Sequence, residues 1–503
     1  MKPKSPGLKF WFEIDLRSLG IFRLAIAGFL LMDLYRRWES RELFFSYQGV
    51  SDLDFYRDFS LSLFHGVLSD WVVNWIFVAC LWCYGSLLLG YRTSRHAVLS
   101  LVLYMSSFRY NHAVIHGGNF LIAALLMWAS FLPLGARFSL DARFSKNTST
   151  DPILSAGTVE SPAAFALKLQ IALIYFLSFI SKVFQNPLPG NDWLNGTALY
   201  YSLNYKTVAY GAAPWLTQLP EWILQLMNYL TLMLEGSFLF LVFSPWKRNT
   251  ARRIAIAGQL AFSIGTILTL DVGDIAKVLL PSGLLFWTFQ EWDLLGRFCP
   301  VPSASRKTAR LSMSWPAAAF FSLLVYLNGW LIFDFLNVKP LPQWARPNQL
   351  IALHRIAAFD QLWNYFWNGP RSIHSFRFVG VRPDGTEIDL EDAYLGGDRW
   401  RNLAAPVPAV SRTVDSVVTY YGILRFRYLD AFFNFNMRKP GQNWPADLPK
   451  LADFLRRSYE GKFPGLKIKT VRLERLDRVV PDLTQRSNPK TETRLGAQYL
   501  WNF

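Results

Sequence analysis

The sequence predicts a polytopic α-helical membrane protein of about nine spans with a C-terminal extramembrane α+β domain. Four observations predict it. Of the 503 residues, 52% are hydrophobic and 16% aromatic, with 20 Trp. Charge is nearly excluded from recurring runs of about 18 to 25 residues, and roughly 20 apolar residues span the hydrocarbon core of a bilayer. Lys and Arg crowd into alternate loops, as they do when one side faces the cytoplasm. Finally, near residue 340 the composition turns mixed and polar, and no apolar run follows.

Taken in order, residues 1–19 open with "MKPKSPGLKFWFEIDLRS", basic and amphipathic rather than a cleavable signal, and predict an interfacial helix. A transmembrane domain over 20–336 follows, with spans expected at 20–35, 70–91, 97–110, 117–135, 163–184, 221–244, 253–270, 275–292 and 315–336. The third is short, and one or two are expected to be tilted, broken or re-entrant.

Basic residues fix the expected orientation. One set of loops supplies Lys2, Lys4, Lys9, Arg17, Arg92, Arg95, Arg137, Arg143, Lys146, Lys247, Arg248, Arg252, Arg253, Arg297, Arg306, Lys307 and Arg310; the opposite set supplies only Arg36, Arg37, Arg41, Arg57, Arg109 and Lys206. The N-terminus is therefore expected in the cytoplasm. An odd number of spans then places residues 337–503 outside, in the periplasm of a bacterium with this chain in its inner membrane, or in a lumen. The net charge of +16 reads first as this orientation signal, with anionic membrane lipids as partners and no call for nucleic acid.

The outer domain shows both periods. "HSFRFVGVRPDGTEIDL", residues 374–390, alternates, turns at Pro383-Asp384-Gly385 and alternates again, which predicts a hairpin. "LPKLADFLRRSYEGKF" has helical spacing, "LKIKTVRLERL" alternates strictly, and the polar tail "DLTQRSNPKTETRLG" is expected to be loose.

Few residues could carry chemistry. Cys80 and Cys83 lie in an apolar run and Cys299 in an inner loop, so they read as buried thiols rather than a disulfide framework or a redox motif. Among the charges within or at the ends of the spans, Arg23, Asp33, Lys182, Glu235, Asp271, Asp274 and Lys277 stand out, each costly in lipid unless paired or wetted. Arg23 and Asp33 are expected to be structural, and Asp271, Asp274 and Lys277 to serve a tight outer turn. Glu235 has no charged sequence neighbour and reads equally as a proton carrier or a hydrogen-bonded structural group. Lys182 shares a helix face with Tyr175 and Ser178 and ends an apolar run before Pro187, Pro189 and Gly190. It is either a cation snorkelling to water or a base made available by desolvation.

Asn111, His112 and His116 stand at the outer end of a span, beside Gly117 and Gly118. The histidine pair can hydrogen-bond in an outer cavity or be plainly structural; without a third ligand at recognisable spacing, no metal is expected. Phosphate loops, hydrolase elbows and dinucleotide fingerprints do not occur in the sequence.

The order of several pieces resembles a known family. "SLGIFRLAIAGFLLMDLYRRW" is similar to the opening of the horizontally transferred transmembrane (HTTM) domain of the vitamin K-dependent γ-glutamyl carboxylase-like family, through Ser18-Leu19-Gly20, Phe22-Arg23, Gly28-Phe29-Leu30 and Asp33. The family's aromatic helix, lysine and following acidic-Trp-Gly pattern are matched by Tyr175-Phe176, Lys182, Asp192-Trp193 and Gly196, and further likeness lies at Asn111-His112, residues 139–141, Glu235, Asp384-Gly385 and Arg399-Trp400. The resemblance implies that Lys182 is a catalytic base taking a proton from a reduced quinone of the vitamin K hydroquinone type. Oxygen and carbon dioxide would be co-substrates, His112 would stabilise an oxyanion, and Tyr175, Asn111, His116, Glu235 and Trp193 would be supporting or quinol-site residues. The family's histidine in the helix matching 253–270 has no counterpart in "GQLAFSIGTILTLDVG", and the outer domain is shorter than the carboxylase's luminal part, so the resemblance carries quinol chemistry further than glutamate carboxylation.

The leading expectation is an integral membrane, carboxylase-like lyase or oxygenase that couples quinol oxygenation to carboxylation or a related modification of a protein or peptide substrate on the outer face. The alternative is a non-catalytic scaffold or maturation factor that binds a client protein through its outer domain. A transporter is weaker, since no inverted repeat is visible.

Overall fold

The computed structural model describes residues 9–38, 41–46, 62–64, 69–110, 117–145, 152–184, 191–204, 209–270, 272, 274–297, 307–335, 372–390, 447–479 and 493–502. Asn111, His112, His116, Asp271, Cys299 and Arg399-Trp400 lie outside the described residues.

Helices dominate the first two thirds: α1 (Leu16–Trp38), α2 (Asp70–Leu89), α3 (Thr93–Tyr110), α4 (Gly117–Ala129), α5 (Pro162–Phe184), α6 (Glu221–Val242), α7 (Arg248–Thr269), α8 (Ile275–Ser282) and α9 (Trp315–Phe335). Four of them, α1, α2, α5 and α6, are long and apolar enough to cross a membrane, whereas α4 and the stretch Ile275–Phe286 are shorter apolar helices. The span expected over 275–292 is interrupted. After Pro281 the chain tightens into a 3-10 turn at Gly283–Phe286, passes through extended Trp287 and restarts at Phe289–Leu295 under a capping box from Thr288 and Glu291. The run 117–135 likewise stops early, at Ala129.

In the N-terminal stretch expected as an interfacial helix, the described residues form one helical turn, Lys9–Phe12, then strand β1 (Glu13–Asp15), with α1 beginning at Leu16. Asp15 explains the switch: its carboxylate accepts from the Arg17 backbone N–H at 2.8 Å and from the guanidinium at 3.0 and 2.8 Å, which starts the helix. Strand β1 pairs antiparallel with β2 (Thr158–Glu160), which pairs parallel with β3 (Thr308–Arg310). The segments preceding α1, α5 and α9 are thus held side by side. At the other end of α1, Arg36 reaches Asp274 at 2.9 Å.

The isolated charges have local partners. Arg23, 1% exposed, donates to the carbonyls of Leu87, Leu88 and Phe138, while Asp33 pairs with Arg37 at 2.7 Å. Cys80 and Cys83 are buried free thiols.

The C-terminal region contains a four-stranded sheet of β4 (Ser372–Val381), β5 (Glu387–Asp389), β6 (Thr470–Val479) and β7 (Thr493–Asn502), in the order β5-β4-β6-β7, with helix α10 (Asp447–Lys462). The hairpin expected at Asp384-Gly385 is present: Val381 faces Glu387, and Asp384 Oδ1 accepts from the Thr386 N–H at 2.9 Å. The tail expected to be loose is not so throughout, because from Thr493 it forms β7 on the β6 edge, with Leu473 opposite Tyr499 and Val471 opposite Trp501.

Candidate functional site

Helix α5 carries Tyr175, Ser178 and Lys182 on one buried face, and α6 packs against it. The approach is close because residue 236 is glycine: a Cβ there would lie 3.1 Å from the Phe179 ring. Glu235, one residue earlier on α6, is brought to Lys182, and its Oε1 accepts a hydrogen bond from the Lys182 Nζ. Ser178 Oγ stands between them, 3.1 Å from Nζ and 3.3 Å from the same carboxylate oxygen.

Lys182 is 4% exposed and Glu235 3%. A snorkelling lysine keeps its head in water. This one does not.

The loop after α5 closes over the amine. Asn191 Oδ1 accepts the Trp193 N–H at 2.9 Å in an Asx-type turn, Asn191 Nδ2 donates to the Lys182 carbonyl at 2.8 Å, and Asn228 of α6 donates to the Trp193 carbonyl at 2.8 Å. Gly196 holds φ +76°, where a side chain would be strained and would meet the Tyr229 hydroxyl at 3.0 Å. So fixed, the Trp193 ring lies 4.6 Å from the Lys182 Nζ, a cation–π contact worth up to about 2 kcal/mol when desolvated.

These groups line a cavity of about 250 Å³ whose remaining walls are mainly apolar, including Ile174, Leu203, Phe262 and Leu279. Two lining polar atoms, Glu235 Oε2 and the Tyr175 hydroxyl, are buried without a hydrogen-bond partner. The Tyr175 hydroxyl faces Ser263 and Gln259 of α7, neither of which closes a bond of normal geometry to it. Gln259 Nε2 instead donates to the Leu279 carbonyl at 2.5 Å.

The structure therefore brings together Tyr175, Lys182, Glu235 and Trp193 from the sequence-derived set, whereas His112, Asn111 and His116 lie outside the described residues. Sequence reasoning missed Gln259 and Ser263, although two polar residues at i and i+4 in an otherwise apolar stretch were a signal, and it missed Asn191 and Asn228, which position Trp193. No group of three or more His, Cys, Asp or Glu side chains gathers among the described residues.

No known family, characterised protein or solved structure matches the chain. The site must be read from its own chemistry: a buried amine and carboxylate in contact, beneath an indole, at the wall of an apolar cavity with an unpartnered carboxylate oxygen. Such an arrangement can accept a proton from a weakly acidic apolar ligand and shield the product anion from water.

Proposed function

We propose that the chain is an integral membrane enzyme of the vitamin K-dependent carboxylase-like type, in which Lys182 is the base that deprotonates a reduced quinone. The carrying observation is the buried Lys182–Glu235 contact in an apolar cavity, with Glu235 Oε2 left unpartnered. At about 250 Å³ the cavity suits a ring system rather than a whole long-chain quinol, whose tail would stay in the bilayer. When bound, a reduced quinone would supply, with oxygen, the base strong enough to take a proton from a carbon acid, and carbon dioxide could then trap the carbanion left on the substrate.

The chain's own residues carry the proton bookkeeping. For Lys182 to accept a hydroxyl proton it must be the neutral amine, and the contact with Glu235 allows this if the pair holds one proton on the carboxyl rather than on the amine. The pair is electrically neutral in either arrangement, which lowers its cost in a low-dielectric setting. After transfer the ammonium faces the Trp193 ring, and Ser178 bridges amine and carboxylate. His112 is assigned from the sequence to the developing oxyanion.

The same proposal takes nine crossings, with the N-terminus in the cytoplasm and the C-terminal α+β region outside. Supporting it, the three segments joined in the β1-β2-β3 sheet all belong to loops that this topology assigns to the cytoplasmic side. The test is oxygen-dependent oxidation of a supplied hydroquinone by the purified protein in nanodiscs. Turnover that survives removal of the Lys182 amine would remove the base assignment, and a wild-type protein without turnover would leave a client-binding scaffold as the better reading.

A further inference from the structure

A second cavity, of about 480 Å³, opens toward the other end of α5. Lys168, on its wall, precedes Lys182 by 14 residues, about 21 Å along a helix. The wall also includes Trp11, Glu13, Arg248 and Arg252, with apolar surface from Val242, Phe243 and Phe286. The cavity's lining side-chain atoms that are buried without a partner are Trp11 Nε1 and Arg252 Nε, and both are donors. In the Lys182 cavity, by contrast, the unpartnered atoms are a carboxylate oxygen and a hydroxyl.

The other donors are only partly used. Arg252, 4% exposed, commits its Nη2 to Glu291 at 3.0 and 3.1 Å and to Thr288 at 3.3 Å, leaving Nε free. Lys168 Nζ donates to the carbonyls of Phe10 and Glu13 at 3.2 and 2.9 Å, which uses two of its three protons. Arg248 lies 4.4 Å from the Phe10 ring centroid, and among the described residues it has no carboxylate at ion-pair distance.

The nearby acids do not fill the gap. Asp15 is held by Arg17, Glu291 by Arg252 and Arg253, and Asp293, also on the wall, is engaged in an interaction of its own. Burial, reinforced by Glu160, raises the Glu13 carboxyl above its ordinary range, against the opposing pull of Lys168, Arg248 and Lys9, so Glu13 gives up its proton reluctantly.

We propose that this cavity binds a phosphate group, carried by a membrane phospholipid whose chains run along Val242, Phe243 and Phe286. Donors arriving from four separate positions, Trp11, Lys168, Arg248 and Arg252, suit the several oxygens of a phosphate better than a planar carboxylate, and guanidinium–phosphate hydrogen bonds are among the strong ones. The phospholipid source follows from position. Val242 ends α6 and Arg248 begins α7, so the donors sit at helix ends, where head groups lie, directly above apolar wall. The site is independent of the chemistry assigned to Lys182.

The test uses the full chain, purified and delipidated in detergent, with thermal unfolding followed during titration with phosphatidylglycerol, with diacylglycerol of the same chains, or with inorganic phosphate. Phosphatidylglycerol should stabilise the wild type well beyond diacylglycerol, and Arg248→Gln should weaken its apparent affinity about tenfold, in line with one lost charge-assisted bond. Trp11→Phe, which keeps the ring and removes only the donor, should weaken it by a smaller factor and serves if Arg248→Gln does not fold. Inorganic phosphate matching phosphatidylglycerol would keep the phosphate chemistry and overturn the lipid source. Equal stabilisation by diacylglycerol, or undiminished phosphatidylglycerol binding by whichever variants fold, would overturn the site itself.

Discussion

Lys182 and Glu235, 53 residues apart in sequence, meet inside the helical bundle with neither head group in water. Ser178 bridges them and Trp193 roofs the amine. The proposed function rests on this contact, and the first prediction addresses its acidic half.

Glu235→Gln keeps the shape and the hydrogen-bonding capacity but cannot take up or release a proton. Hydroquinone oxidation should fall at least about tenfold, while the melting temperature stays within a few degrees of wild type, because the amide oxygen can still accept from Lys182. Wild-type turnover in a normally folded Glu235→Gln protein would reduce Glu235 to a structural hydrogen-bonding group.

The part of this site that was legible in the sequence is the part carried by one helix. Tyr175, Ser178 and Lys182 share a face by spacing alone, and a charge in an apolar run advertises itself. That Glu235 is the partner was not legible, because nothing in the sequence of α6 says which neighbour its face meets; Gly236, which permits the approach, is one of several glycines in apolar runs. The fold shows the same division. Strands β4 and β6, the Asp384-Gly385 turn and α10 follow from local period and turn chemistry. Strand β1 was hidden because three residues between two helices carry no readable alternation and owe their conformation to β2, which lies far along the chain. Strand β7 was masked by its polar residues and shows itself only as a partner for β6. The break after Pro281 was signalled by the proline itself, within a run whose hydropathy alone looked continuous.

The proposed topology predicts accessibility of single cysteines in a background lacking Cys299. Asn195→Cys and Asp384→Cys, both at exposed positions, should react with a membrane-impermeant maleimide in intact cells, whereas Ser94→Cys and Ser155→Cys, also exposed, should react only after permeabilisation. Labelling of position 384 only after permeabilisation would move the C-terminal region to the cytoplasm and remove the outer setting proposed for the substrate.

Arg23 ties the C-terminal end of α2 and the chain near Phe138 to α1 through three carbonyls. Arg23→Leu removes the donors and leaves buried acceptors unmet, so unfolding in detergent should become easier by roughly 2–4 kcal/mol. Activity per folded molecule should be unchanged, since Arg23 touches none of the groups around Lys182. A melting temperature equal to wild type would show that those carbonyls find other partners.

Glu291 caps the Phe289–Leu295 helix. Burial opposes its ionisation, but the Thr288 hydroxyl, the Arg253 guanidinium, the Thr288 backbone N–H and the Arg252 charge together hold its carboxyl down, from an ordinary 4.5 to about 2. A depressed carboxylate contributes stability that is complete above its unfolded value and is lost as pH falls through its folded one. Glu291→Gln should therefore lower stability at pH 7 by about 1–2 kcal/mol, with the gap between variant and wild type closing as pH falls from near 4.5 toward 2. Melting curves at a series of pH values check this; a gap that persists unchanged to pH 2 would contradict it.

The most direct test of the central claim is the turnover of Lys182→Arg. Arginine keeps a cation beside Glu235 and beneath Trp193 but cannot act as a base at ordinary pH. Removing the amine outright would strand a buried carboxylate at a cost of about 3–5 kcal/mol, so the apolar control is the double variant Lys182→Met/Glu235→Gln, which leaves no unpaired charge. With oxygen-dependent hydroquinone oxidation measured in nanodiscs and melting temperature as the folding control, both variants should fold and lose about 10²- to 10⁴-fold of the activity. A folded Lys182→Arg protein turning over at the wild-type rate would contradict the assignment of Lys182 as the base.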